Sequence, residues 1–262
     1  MQPLIVGNWK MHGLASGLDE IEVLGRSLRT RPVAADVLIC PPATLLTRAV
    51  LAAAGGIGIG GQDCDSESAG AFTGDISAAM LKDAGASAVI VGHSERRQRH
   101  SETNALVAAK TRAAWRAGLM ALICIGENQA QRSAGRALSV CGEQLAGSAP
   151  SALGTSAVAI GYEPLWAIGS GRLPSLEEIT QVHAHIRQCL VAHWGVAGQW
   201  VRILYGGSVT ADNAREILLL PEVGGVLVGG ESLDARDFEA ICRSVPPVGH
   251  GHSLCAGVAR SG

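Results

Sequence analysis

The hydrophobic positions of this chain fall into short continuous runs, separated by longer stretches in which apolar residues recur every three to four positions. The runs are Leu4 to Val6, Val37 to Cys40, Ile57 to Ile59, Ala88 to Val91, Met120 to Ile125, Ala157 to Ile160, Val201 to Leu204 and Val226 to Val228. They are nearly continuous in Val, Ile, Leu and Ala rather than alternating with polar residues, which is the pattern of parallel strands covered on both faces. Between them, Leu45 to Ala54, Thr103 to Ala117 and Ser175 to His193 read as helices, the last opened by the N-cap pattern Ser175-Leu-Glu-Glu178. Eight strand-then-helix units predict an α/β fold, a (β/α)8 barrel occupying residues 1–243 as one domain, with a doubly wound open sheet as the alternative. In such barrels the chemistry sits at the carboxyl ends of the strands. Lys10, His93, Glu163, Ser208 and Gly229 each fall just past a run, so closure would gather them at one mouth.

Composition narrows the class further. With 262 residues and 47% hydrophobic content the chain can bury one large core, and barrels commonly use this much sequence for a single domain. The formal net charge of −2 arises from interspersed charges, so no broad basic surface recruits nucleic acid or an acidic membrane. The cluster Arg96, Arg97, Arg99 reads locally, as part of a helix start. No basic segment precedes the first short apolar run, and no stretch approaches the ~20 apolar residues that span a bilayer, so a cytoplasmic protein without a secretion signal is expected. Seven cysteines at uneven spacings make neither a disulfide framework nor CxxC metal pairs, which suits a reducing compartment.

Two features are set aside. Gly56-Ile-Gly-Ile-Gly-Gly61 satisfies the dinucleotide pattern G-x-G-x-x-G, but it follows an expected helix and leads into Gln62-Asp-Cys-Asp-Ser instead of opening one, so no phosphate would meet a helix N-terminus. It reads as a turn and a short barrel strand. Residues 244–262, rich in Gly, Ser and Pro, extend past the last expected helix and read as a disordered tail; His250, His252 and Cys255 there lack the second group of ligands that a metal site would need.

The candidate chemistry centres on Glu163, which closes an apolar run and is followed at once by a glycine-bounded loop. A carboxylate at a strand end is ordinarily a surface ion-pair partner. Here Leu165 and Ile168 follow it, and apolar cover would desolvate the carboxylate and raise its basicity, making it a proton-abstracting base with its own lid. His93 precedes Ser94-Glu-Arg-Arg97, which looks like a first helical turn, and the positive end of a helix would lower the histidine pKa. A solitary histidine is usually a hydrogen-bonded core imidazole, and a lysine after a strand is usually just solvated.

Four stretches reverse those defaults together: Gly7-Asn-Trp-Lys10, Val91-Gly-His-Ser-Glu-Arg-Arg97, the run from Gly161 to Arg172, and Leu204-Tyr-Gly-Gly-Ser-Val209. In this order, from about Leu4 to about Arg243, the chain resembles the triosephosphate isomerases, whose fold is the TIM barrel. The resemblance implies a cofactor-independent and metal-free isomerase of glycolysis and gluconeogenesis that interconverts dihydroxyacetone phosphate and D-glyceraldehyde 3-phosphate through an enediolate. It implies Glu163 as the base, His93 as a neutral electrophile, and Lys10 with Asn8 as fixed charge and hydrogen-bond donors to substrate oxygens. The neutrality of the histidine is a known property of that family and is carried over on the resemblance alone. Glu95 would hold the Lys10 ammonium, and Ser94 would hold the base while the site is open. Gly169, Ser208, Gly229 and Gly230 would bind the phosphate, and the lid would comprise Pro164, Leu165, Trp166, Ala167, Ile168, Gly169, Ser170, Gly171 and Arg172. Thr73 and Phe72, in Gly70-Ala-Phe-Thr-Gly74, would dock into a second copy, implying a homodimer.

Three positions depart from the family pattern: Gly161 where alanine is usual, His12 where asparagine is common, and Glu231 where a small residue follows Gly229-Gly230. Glu231 is expected to point outward along the first turn of the last helix. Two other readings stay open, an isomerase of a four-carbon ketose phosphate and a catalytically weak barrel serving as a binding protein.

Overall fold

Strand pairing accounts for the continuous apolar runs. The computed structural model describes residues 1–153, 157–168 and 172–246. Its strands are β1 (Leu4–Asn8), β2 (Asp36–Cys40), β3 (Gly58–Gly61), β4 (Ala88–Val91), β5 (Met120–Ile125), β6 (Val158–Tyr162), β7 (Arg202–Tyr205) and β8 (Gly225–Val228), all parallel. Residues 4–7 of β1 pair with 225–228 of β8, which closes the sheet and excludes the open, doubly wound alternative. Alternate side chains, among them Leu4, Val6, Leu38, Ile90, Leu122 and Leu227, form one buried cluster that fills the barrel. Their neighbours Ile5, Ile39, Val89, Ile123 and Ile203 pack with the helices in a second, larger cluster. Both strand faces are therefore dry, which is why the runs show no polar alternation.

The apolar runs misplace several strand ends, by two residues in β1, β3 and β6; β3 shows the reason. It runs through Gly60 and Gly61, past the expected end at Ile59, because pairing with Ala88 and Val89 requires backbone and no side chain. β1, β6 and β7 end in Asn8, Tyr162 and Tyr205, polar or aromatic residues that a hydropathy run omits. Helix starts follow their caps closely. Thr103 caps Asn104–Arg116 with its side chain, and Ser175 and Glu178 make a reciprocal capping box on Leu176–Trp194.

The departure at Gly161 has a packing reason. It faces the barrel interior, where an added Cβ would stand 3.2 Å from Cys124 Sγ and 3.3 Å from Leu227 Cδ2, a tight contact that glycine avoids. The last helix, Ala235–Arg243, ends the barrel, but the chain beyond it does not leave at once: Ser244 Oγ donates to the Ala240 carbonyl, and Val245 packs against the outer core. The rest of the expected tail, with His250, His252 and Cys255, lies outside the described residues. Among the described residues no helix is long and apolar enough to cross a membrane.

The outer core holds one titratable side chain with a measurable consequence. His183 is fully buried, its ring edge-on to Tyr162 at 5.9 Å and its Nδ1 3.3 Å from the Glu222 carbonyl. Burial pushes its pKa down from 6.5 to about 4. The unfolded chain therefore takes up this proton first as pH falls, so the stabilisation is complete above pH ~6.5, is lost on acidification towards pH ~4, and changes no further below that. The shift corresponds to about 3 kcal/mol. We expect denaturant titrations between pH 7 and 4 to show a shallower loss of stability for His183→Phe than for wild type; identical slopes would assign the acid sensitivity elsewhere.

Candidate active site

Lys10 leaves the end of β1 in a left-handed conformation, with φ at 53°, a strained state for a side-chain-bearing residue. Three partners fix it there. Its amide donates to Asn8 Oδ1 at 3.0 Å, its carbonyl accepts from Gln62 Nε2 at 2.8 Å, and its ammonium donates to Glu95 Oε1 at 2.7 Å. Gln62 also donates to the Cys40 carbonyl, so it ties the ends of β1 and β2 together. Gln62 escaped the sequence analysis, because it lies just after the rejected glycine pattern and belongs to no recognised motif.

His93 caps the short helix Ser94–Arg99, and the Glu95 amide donates to its Nδ1 at 3.2 Å. With Nδ1 used as an acceptor, the ring proton sits on Nε2, which lies 2.9 Å from Glu163 Oε1. Glu163, 2% exposed, also accepts from the Ser94 amide at 3.1 Å and from the Ser94 hydroxyl at 3.2 Å. The expected pKa directions are overturned in this arrangement. Burial opposes charging of His93, yet the Glu163 carboxylate outweighs it and holds the imidazole above its ordinary value; the helix-end argument had left out this anion. Burial likewise pushes Glu163 up, but His93 and the two Ser94 donors outweigh it and bring the carboxylate below its ordinary value.

The segment after Glu163 is anchored by a residue absent from the sequence reading. Glu127, wholly buried, accepts from Trp166 Nε1 at 2.8 Å and from the Tyr162 hydroxyl at 3.2 Å, and its carbonyl accepts from the Leu165 amide at 3.1 Å. Arg132 lies over the Trp166 ring at 5.1 Å and pairs with Glu178 at 2.6 Å. Pro164 and Ala167 close a turn through a 2.8 Å backbone bond, and Arg172 donates to Gln129 at 3.2 Å. Gly169, Ser170 and Gly171, expected at the lid tip, lie outside the described residues. Leu165 also departs from its expected place. Only Ile168 of the two apolar lid residues lines the cavity in front of Glu163; Leu165 lies behind the carboxylate, beside Gly126.

That front cavity, about 200 Å³, is lined by Asn8, Lys10, His93 and Glu163 on one side and by Ser208, Gly229 and Gly230 on the other. Position after a run placed five of these at one mouth and the resemblance added Asn8 and Gly230; the barrel brings all seven there from five strand ends. Gly207 is dictated by its neighbour, since a Cβ there would stand 2.1 Å from the Tyr205 hydroxyl. Trp9, buried behind Lys10, donates to the Ser232 carbonyl at 2.8 Å and so links the β1 and β8 loops. Glu231 is not in the last helix as expected. It occupies a separate 3-10 turn, Gly230–Leu233, where it is exposed and lines the cavity, because Asp234 and not Gly230 caps the helix. Phe72 and Thr73 are exposed and do not line this cavity, and His12 is exposed.

Comparison with known proteins agrees with this geometry. A family model described as triosephosphate isomerase matches residues 3–245. The chain belongs to the triosephosphate isomerase family. It is 52% identical over 247 residues to the triosephosphate isomerase of Afipia carboxidovorans, covering 94% of this chain and 98% of the relative. Against that of Caulobacter vibrioides it is 52% identical over 245 residues, covering 93% and 97%. The crystal structure of triosephosphate isomerase from Bartonella henselae superposes with a TM-score of 0.86 at 44% identity, covering 93% of this chain and 99% of that one. The chain is thus an isomerase of this family with a (β/α)8 barrel, and the triosephosphate isomerase motifs read from its sequence coincide with the walls of the front cavity.

Proposed function

We propose that the chain interconverts dihydroxyacetone phosphate and D-glyceraldehyde 3-phosphate through an enediolate, with Glu163 as base, His93 as electrophile and Lys10 with Asn8 as donors to substrate oxygens. The reading rests chiefly on the buried carboxylate of Glu163 lying 2.9 Å from His93 Nε2 at the edge of a cavity that also holds Lys10. As Glu163 moves towards substrate it gives up the Ser94 amide and hydroxyl, which lower its pKa, while burial, which raises it, persists. Its basicity therefore rises as it reaches the C–H bond. The departing carboxylate also removes the charge that raises the His93 pKa. Burial and the Glu95 amide on Nδ1 then favour a neutral ring whose Nε2–H donates to the substrate oxygens.

Ser208, Gly229 and Gly230 supply the phosphate end; on the resemblance, Gly169, outside the described residues, adds a donor and closure of the loop after Glu163 shields the enediolate from water. A coupled assay offering dihydroxyacetone phosphate and erythrulose phosphate side by side tests the reading. Efficient turnover of the first supports it, preference for the second would move the assignment to a four-carbon substrate, and failure with both would leave a binding protein.

The proposal extends to a cytoplasmic homodimer docked through Phe72 and Thr73. Large apolar side chains stand exposed on two of the mouth-side loops, Met11 at 90% and Leu14 at 79% after β1 and Phe72 at 45% after β3, surface that a second copy would cover. Sedimentation is expected to give a dimer for wild type and a monomer of low activity for Thr73→Arg, which places a charge in the contact. An unchanged dimer in the variant would remove this loop from the interface.

A further inference from the structure

Among the described residues, Glu163 alone lines both the front cavity and a second one, of about 170 Å³, on its other side. None of Asn8, Lys10, His93 or the phosphate-end residues borders this rear cavity. Its walls come from the ends of β4 and β5: Ser94, Arg97 and Gln98 on one side, Gly126, Asn128 and Gln131 on the other. Gln98 and Asn128 are exposed, so they stand at its opening to solvent. At ~30 Å³ per molecule the space admits several waters, and its amide and hydroxyl lining offers them hydrogen-bond partners. Arg97 contributes structure rather than a free charge, because its guanidinium is already bound to Gly92, Asn104, Cys124 and Ser148.

We propose that the rear cavity is the route by which the proton held on Glu163 exchanges with solvent during turnover, with the Ser94 hydroxyl as the relay. This inference rests on the isomerase reading given above. Abstraction breaks a substrate C–H bond, leaves its electron pair in the enediolate and makes Glu163 a carboxylic acid. When the side chain swings back to its resting position, where Ser94 Oγ lies 3.2 Å from Glu163 Oε1, that acid donates its proton to Ser94 Oγ as Ser94 passes its own hydroxyl proton to a water in the rear cavity. The reverse hop returns a solvent proton to Glu163. Charge is unchanged and only the isotope differs. Ile168, on the lid, lines the front cavity, whereas Leu165, close to the anchored hinge, is the sole lid residue bordering the rear one among the described residues.

The test is turnover of ordinary dihydroxyacetone phosphate in D2O, scoring by NMR or mass spectrometry the fraction of glyceraldehyde 3-phosphate that retains hydrogen at C2. Gln98 is varied because it is exposed, its side chain makes no hydrogen bond within the described residues, and it stands at the cavity mouth. We expect hydrogen retention to rise at least ~2-fold in Gln98→Phe, which plugs the opening, and to fall in Gln98→Ala, with kcat within ~2-fold in both. Retention that does not vary across Ala, Gln and Phe overturns the route. The same samples report total turnover by coupled assay, so absence of isomerisation would count against the isomerase reading itself, whereas isomerisation with invariant retention would count against the rear route alone.

Discussion

Glu163→Gln is expected to lower kcat by at least ~10²-fold while inorganic phosphate and substrate analogues continue to bind. The amide keeps the volume of the carboxylate, and its single oxygen can still accept from the Ser94 amide while its NH2, in the place of Oε1, can donate to the Ser94 hydroxyl, so the buried position remains filled. What it loses is the lone pair basic enough to take a proton from carbon. The phosphate end, built from Ser208, Gly229 and Gly230 across the cavity, contains no part of this side chain. Steady-state kinetics with a parallel inhibition assay separates the two effects. A variant within tenfold of wild-type turnover would remove Glu163 as the base.

The largest effect on stability is expected from Lys110→Met. Lys110 is 4% exposed, and its ammonium donates to both oxygens of Asp63, at 2.8 and 2.7 Å, and to Glu102 at 2.6 Å. Arg96 bridges the same two carboxylates at 2.8 and 2.6 Å. Burial favours neutral carboxyls at both sites; it holds the Asp63 pKa above its ordinary value, whereas the hydrogen bonds from Lys110 and Arg96 bring Glu102 below its own. Methionine fills the space but leaves two carboxylates sharing one guanidinium, and breaking a buried pair from one side costs about 3 to 5 kcal/mol. Chemical denaturation at a fixed protein concentration should show a lower midpoint with an unchanged slope. A loss under ~1 kcal/mol would mean that solvent already screens the cluster.

Sequence alone determined the barrel and most of the mouth. Eight apolar runs without polar alternation require a sheet covered on both faces, and helices between them supply the cover, so the order of elements leaves few topologies. Lys10, His93, Glu163, Ser208 and Gly229 were placed at the mouth because each follows the end of a run, whereas Asn8, Gly230 and the roles of all seven were legible only through the family resemblance. Tertiary structure alone decided what those residues are paired with. Gln62, Glu127, Tyr162 and Lys110 each act through a partner 35 to 52 positions away, and nothing in local periodicity reports such distances; Lys110 even sits in a helix whose charged residues a pattern argument would give to solvent. For the same reason the pKa directions at His93 and Glu163 came out reversed. A helix end and apolar neighbours can be read along the chain, but a carboxylate 70 residues from its histidine cannot, and at 2.9 Å in a buried site that one interaction outweighs the local ones.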